Sequence, residues 1–166
     1  MAIFKVVNGN YNDDDIYEKV CSYIHDNGNH IAELVGGYGV FMGSDVRSEA
    51  AQMKYVADYY MKTKGQKIYH FVISFHRYSE YWVTNEIAYR IVSNIFCVLP
   101  YQSVFAVHED TDNIHVHVVM NAVSYMDGSK FENNREVYDS IAFSLELESK
   151  QYSPFYKSLK FYIIYG

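Results

Sequence analysis

The residues from His115 to Asn121 alternate between polar or small and apolar side chains, the period-two pattern of a half-buried β-strand. On such a strand one face carries His115, His117, Val119 and Asn121. The apolar segment 103–107 predicts a preceding strand, and the polar residues 110–113 predict a tight turn between the two. The sequence therefore predicts a β-hairpin whose second strand has a histidine-bearing face.

The remaining hydrophobic patterns predict an alternation of strands and helices along the chain. Strands are predicted at 2–7, 68–75 and 160–164, and helices near 15–25, 45–64, 84–99 and 135–147. Residues 31–43 contain Gly36, Gly37 and Gly39 and predict a loop or a broken strand. We expect one α+β domain over residues 1–166, with a central antiparallel sheet of about five strands. The helices are expected mainly on one face, and the histidines on the other.

His108 lies seven residues before His115, on the other side of the predicted turn. The hairpin returns it toward the face that carries His115 and His117. Three neutral imidazoles around an open position are a common catalytic metal site. The pattern therefore predicts a metal site, against the alternative that these are ordinary strand histidines.

Composition and charge limit the possible functions. The chain has a net charge of −6, which weakly disfavours nucleic acid as a partner, and it has two cysteines without a metal-binding spacing. No apolar run is long enough to span a membrane, so a cytoplasmic protein without membrane insertion is expected. One basic stretch, from Lys54 to Arg77, is interleaved with tyrosines, which suits single-stranded nucleic acid. An ordinary solvated helix face explains the same stretch.

The motif His108-x6-His115-x-His117 resembles the metal motif of the HUH endonucleases, in particular the relaxases of conjugative mobilisation (MobA/VirD2-like). Residues 69–75 are similar to the family's central His-hydrophobic-Ser-Phe strand. The first strand, followed by a helix that carries Tyr23, is similar to the family's nucleophile-bearing first motif.

The resemblance implies a nickase that is specific for one site and one strand at a transfer origin and that stays linked to the 5′ phosphate through a tyrosine. Its substrate would be single-stranded origin-of-transfer DNA, with accessory nicking and coupling proteins as possible partners. Tyr23 would be the nucleophile. Mg²⁺ or Mn²⁺ would be bound by three histidines, His108, His115 and His117. Glu109, Asp110 and Asn121 would orient these histidines through hydrogen bonds. DNA contacts would come from His70, Ser74, Lys62, Lys64 and Lys67.

Several alternatives stay open at this level. His25 or His30 could replace Tyr23, because some relaxases use a histidine as nucleophile. Tyr156 and Lys160 fit the Tyr-x3-Lys pattern of rolling-circle replication initiators, in which the nucleophile follows the metal motif. A catalytically silent metal- or DNA-binding module would suit the acidic net charge.

Overall fold

The computed structural model describes residues 1–25, 30–43, 45–77, 83–109, 111–152 and 159–166, with the side chains of residues 30 and 32 left out. The strands are β1 (Ala2–Val6), β2 (His30–Tyr38), β3 (Ile68–Phe75), β4 (Tyr101–His108), β5 (Ile114–Ser124) and β6 (Phe161–Tyr165). The helices are α1 (Ile16–His25), α2 (Val46–Tyr59), α3 (Asn85–Phe96) and α4 (Arg135–Tyr152).

All six strands form one sheet in the order β2-β4-β5-β3-β1-β6. Every neighbouring pair is antiparallel except β1 and β6, which run parallel. The predicted hairpin is confirmed, because β4 and β5 pair with His108 opposite His115. The α+β class is confirmed as well.

The helices are divided between the two faces of the sheet. Apolar side chains of α1 and α2, including Val20, Ile24 and Met53, pack on Val104 and Val119. On the opposite face, α3 and α4 pack on a cluster that contains Phe4, Phe71, Ile73, Phe105, Val116, Val118 and Met120. The expectation of helices mainly on one face is therefore corrected. Since the apolar side chains of β3 are buried on both faces, the sheet needs cover on both sides.

The glycine-containing segment forms strand β2 rather than a loop. Gly36 lies in β2 opposite Phe105 of β4, and a side chain there would overlap the hydroxyl of Tyr89. The absence of a side chain lets α3 approach this edge strand closely.

The two middle helices begin at side-chain caps. Asp45 accepts a hydrogen bond from the Ser48 amide at 2.8 Å, and Thr84 accepts one from the Ile87 amide at 3.3 Å. Beyond the end of α2, Met61 is left-handed, with a φ of +55°. The Lys62 amide closes this turn by donating to the carbonyl of Ala57 at 2.8 Å.

Within the described ranges, no helix combines the length and the apolarity needed to cross a membrane.

Candidate active site under helix α1

The strand register places the histidines on the face that α1 and α2 cover, so the prediction that helices leave this face open is wrong. His115 lies opposite His108 on one side and opposite Ser74 on the other. Two residues further along β5, His117 lies opposite Val72. His70 lies two residues from Val72 on β3, opposite Val119. Because directly paired residues share a face, all four histidines point to the same side of the sheet.

The closest contacts join His70, His108 and His117. The ring centroids of His108 and His117 are 4.3 Å apart, and those of His70 and His117 are 5.3 Å apart. His70 Nε2 and His117 Nδ1 are hydrogen bonded at 3.0 Å. All three side chains are buried.

Burial holds two of these imidazoles in the neutral form. It lowers the pKa of His117 to about 2, with smaller contributions from His70, His108 and His115. Burial also lowers the pKa of His70 to about 4, assisted by His108 and Lys5. Neutral imidazole is the form that ligates metal ions.

Three consecutive residues at the end of α1 connect the helix to its surroundings. The ring centroid of Tyr23 is 5.8 Å from those of His70 and His117, edge-on to both, and the side chain is 56% exposed. The Ile24 carbonyl accepts a hydrogen bond from His108 Nε2 at 2.8 Å. His25 Nε2 lies 2.8 Å from Oε2 of the buried Glu49 on α2. The helix end that presents Tyr23 is thus held to β4 and to α2.

Hydrogen bonds also fix which ring nitrogens of two histidines are protonated. Because a carbonyl can only accept, Nε2 of His108 carries a proton and donates it to the Ile24 carbonyl. His115 Nδ1 lies 2.9 Å from Thr111 Oγ1, which already donates to the Asn113 carbonyl. Nδ1 of His115 is therefore the donor. Outer hydrogen bonds of this kind orient metal-ligating histidines.

The neutral His117 and the oriented rings of His108 and His115 fit a divalent ion. In the part of the chain that the structure describes, however, no three His, Cys, Asp or Glu side chains stand in a ligating arrangement. The ligand set His108, His115 and His117 stays a prediction.

Two of the three residues expected to orient the metal ligands lie elsewhere. Glu109 binds Arg77 Nη2 at 3.1 Å and the side-chain amide of Asn85. Asn121 is fully buried, and its Nδ2 donates to the Met53 carbonyl at 2.8 Å and to Gln102 Oε1 at 3.0 Å. Neither contacts a histidine among the hydrogen bonds of the described residues. Asp110 lies outside the described residues.

The residues expected to bind DNA are also dispersed. Ser74 and His70 lie on the histidine face, although both are buried and His70 contacts His117. Lys67 is buried, and its ammonium donates to the Thr63 carbonyl and pairs with Asp14 at 3.0 Å.

Lys62 and Lys64 are exposed, but they precede Ile68 at the end of β3 that is remote from Ser74. They lie outside the histidine cluster.

Sequence reasoning missed two partners at this site. His70 forms a hydrogen bond with His117, and Thr111, in the turn, forms one with His115. The spacing of His70 on β3 gives its face but not its register against β5, and the register decides the contact. Of the alternative nucleophiles, His25 pairs with Glu49, whereas the side chain of His30 and all of Tyr156 fall outside the described residues.

The site is therefore a histidine cluster on an α+β sheet, beneath a helix that presents a tyrosine. The chain belongs to the relaxase family, since the family model of the MobA/VirD2-like relaxase nuclease domain matches residues 23–152. Membership supports DNA nicking as the general activity and single-stranded DNA as the general substrate. A comparison with curated proteins gave no match.

Proposed function

We propose that this protein nicks one DNA strand at a transfer origin, with Tyr23 as the nucleophile, and rejoins the strand by reversal. The observation that carries the proposal is the position of Tyr23, exposed at the end of α1 with its ring against His70 and His117. One nuclease domain over residues 1–166 would act in the cytoplasm, in the mobilisation of a plasmid or mobile element. Accessory nicking and coupling proteins would be its partners.

The reaction is a transesterification. The Tyr23 oxygen forms a bond to phosphorus while the bond from phosphorus to the 3′ oxygen breaks. The phenolic proton passes to solvent, to which Tyr23 is open, and the departing 3′ oxygen gains a proton. The product carries a 5′-phosphotyrosine ester, so that attack by a 3′ hydroxyl restores the strand without ATP.

The residues proposed to hold a divalent ion are His108, His115 and His117. A divalent ion bound there would supply positive charge to stabilise the transition state at the scissile phosphate. The hydrogen bonds from His108 to the Ile24 carbonyl and from His115 to Thr111 support this role, because they orient the two rings. Imidazole ligands favour Mn²⁺ over Mg²⁺, which prefers oxygen ligands.

The test uses labelled single-stranded oligonucleotides that cover the replicon's candidate transfer origin, with Mn²⁺ and with chelator. Tyr23→Phe should abolish the covalent protein–DNA adduct and leave oligonucleotide affinity within about twofold, because only the nucleophilic oxygen is removed. Tyr38→Phe is the matched control, since Tyr38 is also exposed but its ring lies beside Tyr125. Adduct formation by Tyr23→Phe would rule out this assignment.

The same assay separates the alternatives. A replication initiator predicts that Tyr156→Phe, and not Tyr23→Phe, loses the adduct. A silent module predicts binding without scission of any oligonucleotide.

A further inference from the structure

The histidine face of the sheet continues beyond the site, across β3 onto β1 and β6. The register forms two rows of paired residues that share this face. The first row is Tyr162, Ile3, Ser74 and His115, and the second is Ile164, Lys5, Val72 and His117. Strand β6 therefore belongs to the same surface as the catalytic candidates.

The part of this face that β1 and β6 form is exposed on β6 and half-buried on β1, at Ile3 and Lys5. Tyr162 is 57% exposed and Ile164 is 42% exposed, whereas Phe161, which points to the other face, is buried at 7%. Helices α1 and α2 pack over β4 and β5 instead. We call the surface of Ile3, Lys5, Tyr162 and Ile164 the β1–β6 platform.

Lys5 gives the platform a positive charge. In the described part of the chain, no ion pair involves its ammonium group. Neighbouring strands are about 4.8 Å apart, which puts the Lys5 backbone about 10 Å from that of His117.

Tyr162 lies one strand further out, about 14 Å from His115 by the same spacing. An exposed aromatic ring and a lysine on one sheet face, continuous with the site, are the combination that binds single-stranded DNA through base stacking and backbone charge. The family match covers residues 23–152, so β1 and β6 lie outside it.

We propose that the β1–β6 platform binds the single-stranded DNA that flanks the cleaved bond, with Lys5 on a phosphate and Tyr162 stacked on a base. This inference rests on the proposed nicking function, since it concerns the same DNA strand. It adds β1 and β6, with the side chains of Lys5 and Tyr162, to the surface that holds the DNA beside Tyr23.

The test measures oligonucleotide affinity by fluorescence anisotropy in the Tyr23→Phe background, so that binding is separated from cleavage. Tyr162→Ser should weaken affinity about tenfold, and Tyr162→Phe should retain it, because phenylalanine keeps the stacking face. Tyr165→Ser is the matched control, since Tyr165 is 50% exposed on the same strand but its ring contacts Tyr138 on the other face.

Lys5→Met should reduce the slope of log affinity against log salt by about 0.7, the value for one phosphate contact on a single strand. Lys150→Met, an exposed lysine of α4, should leave the slope unchanged. Thermal melting identifies any variant that fails to fold. If Tyr162→Ser does not fold, the proposal is decided by Lys5→Met, because a salt slope equal to that of Lys150→Met would overturn it.

Equal affinities for Tyr162→Ser and Tyr165→Ser would overturn the platform while leaving the nicking proposal intact. If the DNA does not bind at all, both proposals fail. Strand β6 is an edge strand, so a second copy of the chain is the competing partner for this part of the sheet. Self-association that Tyr162→Ser abolishes, without any change in DNA affinity, would also overturn the proposal.

Discussion

His70 and His117 share a hydrogen bond of 3.0 Å between Nε2 and Nδ1, in the buried layer directly below the ring of Tyr23. One of these two neutral rings donates and the other accepts. The bond joins β3 to β5, so a polar contact inside the sheet fixes the floor of the candidate site.

The buried histidine pair predicts a loss of stability in mild acid. In the unfolded chain both imidazoles titrate near their ordinary pKa of about 6.5, whereas folding lowers these values to about 4 and about 2. As the pH falls below about 6.5, the unfolded state binds protons that the folded state does not. The contribution of these histidines to the free energy of unfolding is therefore fully present above about pH 6.5. As the pH falls further, this contribution decreases by up to about 1.4 kcal/mol per pH unit for each histidine.

Urea unfolding in chelator at pH 7 and pH 5 measures this effect. The double variant His70→Gln/His117→Gln retains hydrogen-bonding groups that do not titrate. We expect the unmodified protein to lose at least about 2 kcal/mol more than the variant between the two pH values. Equal losses would show that the pair is not held neutral.

Asn121 should act on stability rather than on metal binding. Replacement by alanine leaves the Met53 carbonyl and the Gln102 side chain buried without their donor, which should cost about 1–3 kcal/mol of unfolding free energy. The exposed Asn94→Ala should cost less than about 0.5 kcal/mol. Calorimetry with Mn²⁺ should give the same affinity for both variants, and a selective loss in Asn121→Ala would restore the orienting role expected from the sequence.

Met61→Gly should stabilise the protein. Met61 is left-handed and 87% exposed, so glycine removes backbone strain of about 1 kcal/mol while little packing is lost. Met126→Gly is the control at another exposed methionine and should bring no gain. A lower melting temperature for Met61→Gly would mean that its side chain makes contacts that matter.

Local patterns were sufficient for most elements. The alternation of polar and apolar residues predicted the β4–β5 hairpin, and strand β3 has the predicted bounds. Both predictions succeed because they depend on residues close in sequence. Pairing across the chain was not predictable. β6 joins β1 in parallel although about 155 residues separate them, and neither strand alone encodes that choice.

The candidate site follows the same division. The face that carries His108, His115 and His117 could be predicted from period and turn, whereas the hydrogen bond of His70 depends on the β3–β5 register. Lys67 was predicted to contact DNA, yet its ammonium group is buried and contacts Asp14 and the Thr63 carbonyl. These contacts depend on the tertiary structure and cannot be predicted from the composition of the chain.

The most direct test of Tyr23 is to locate the bond to DNA. The covalent adduct, formed with Mn²⁺ on a single-stranded origin oligonucleotide, is digested with nuclease and protease and mapped by tandem mass spectrometry. We expect a nucleotide phosphate on the oxygen of Tyr23 and on no other residue. A phosphate on Tyr156 or on a ring nitrogen of His25 would contradict the account.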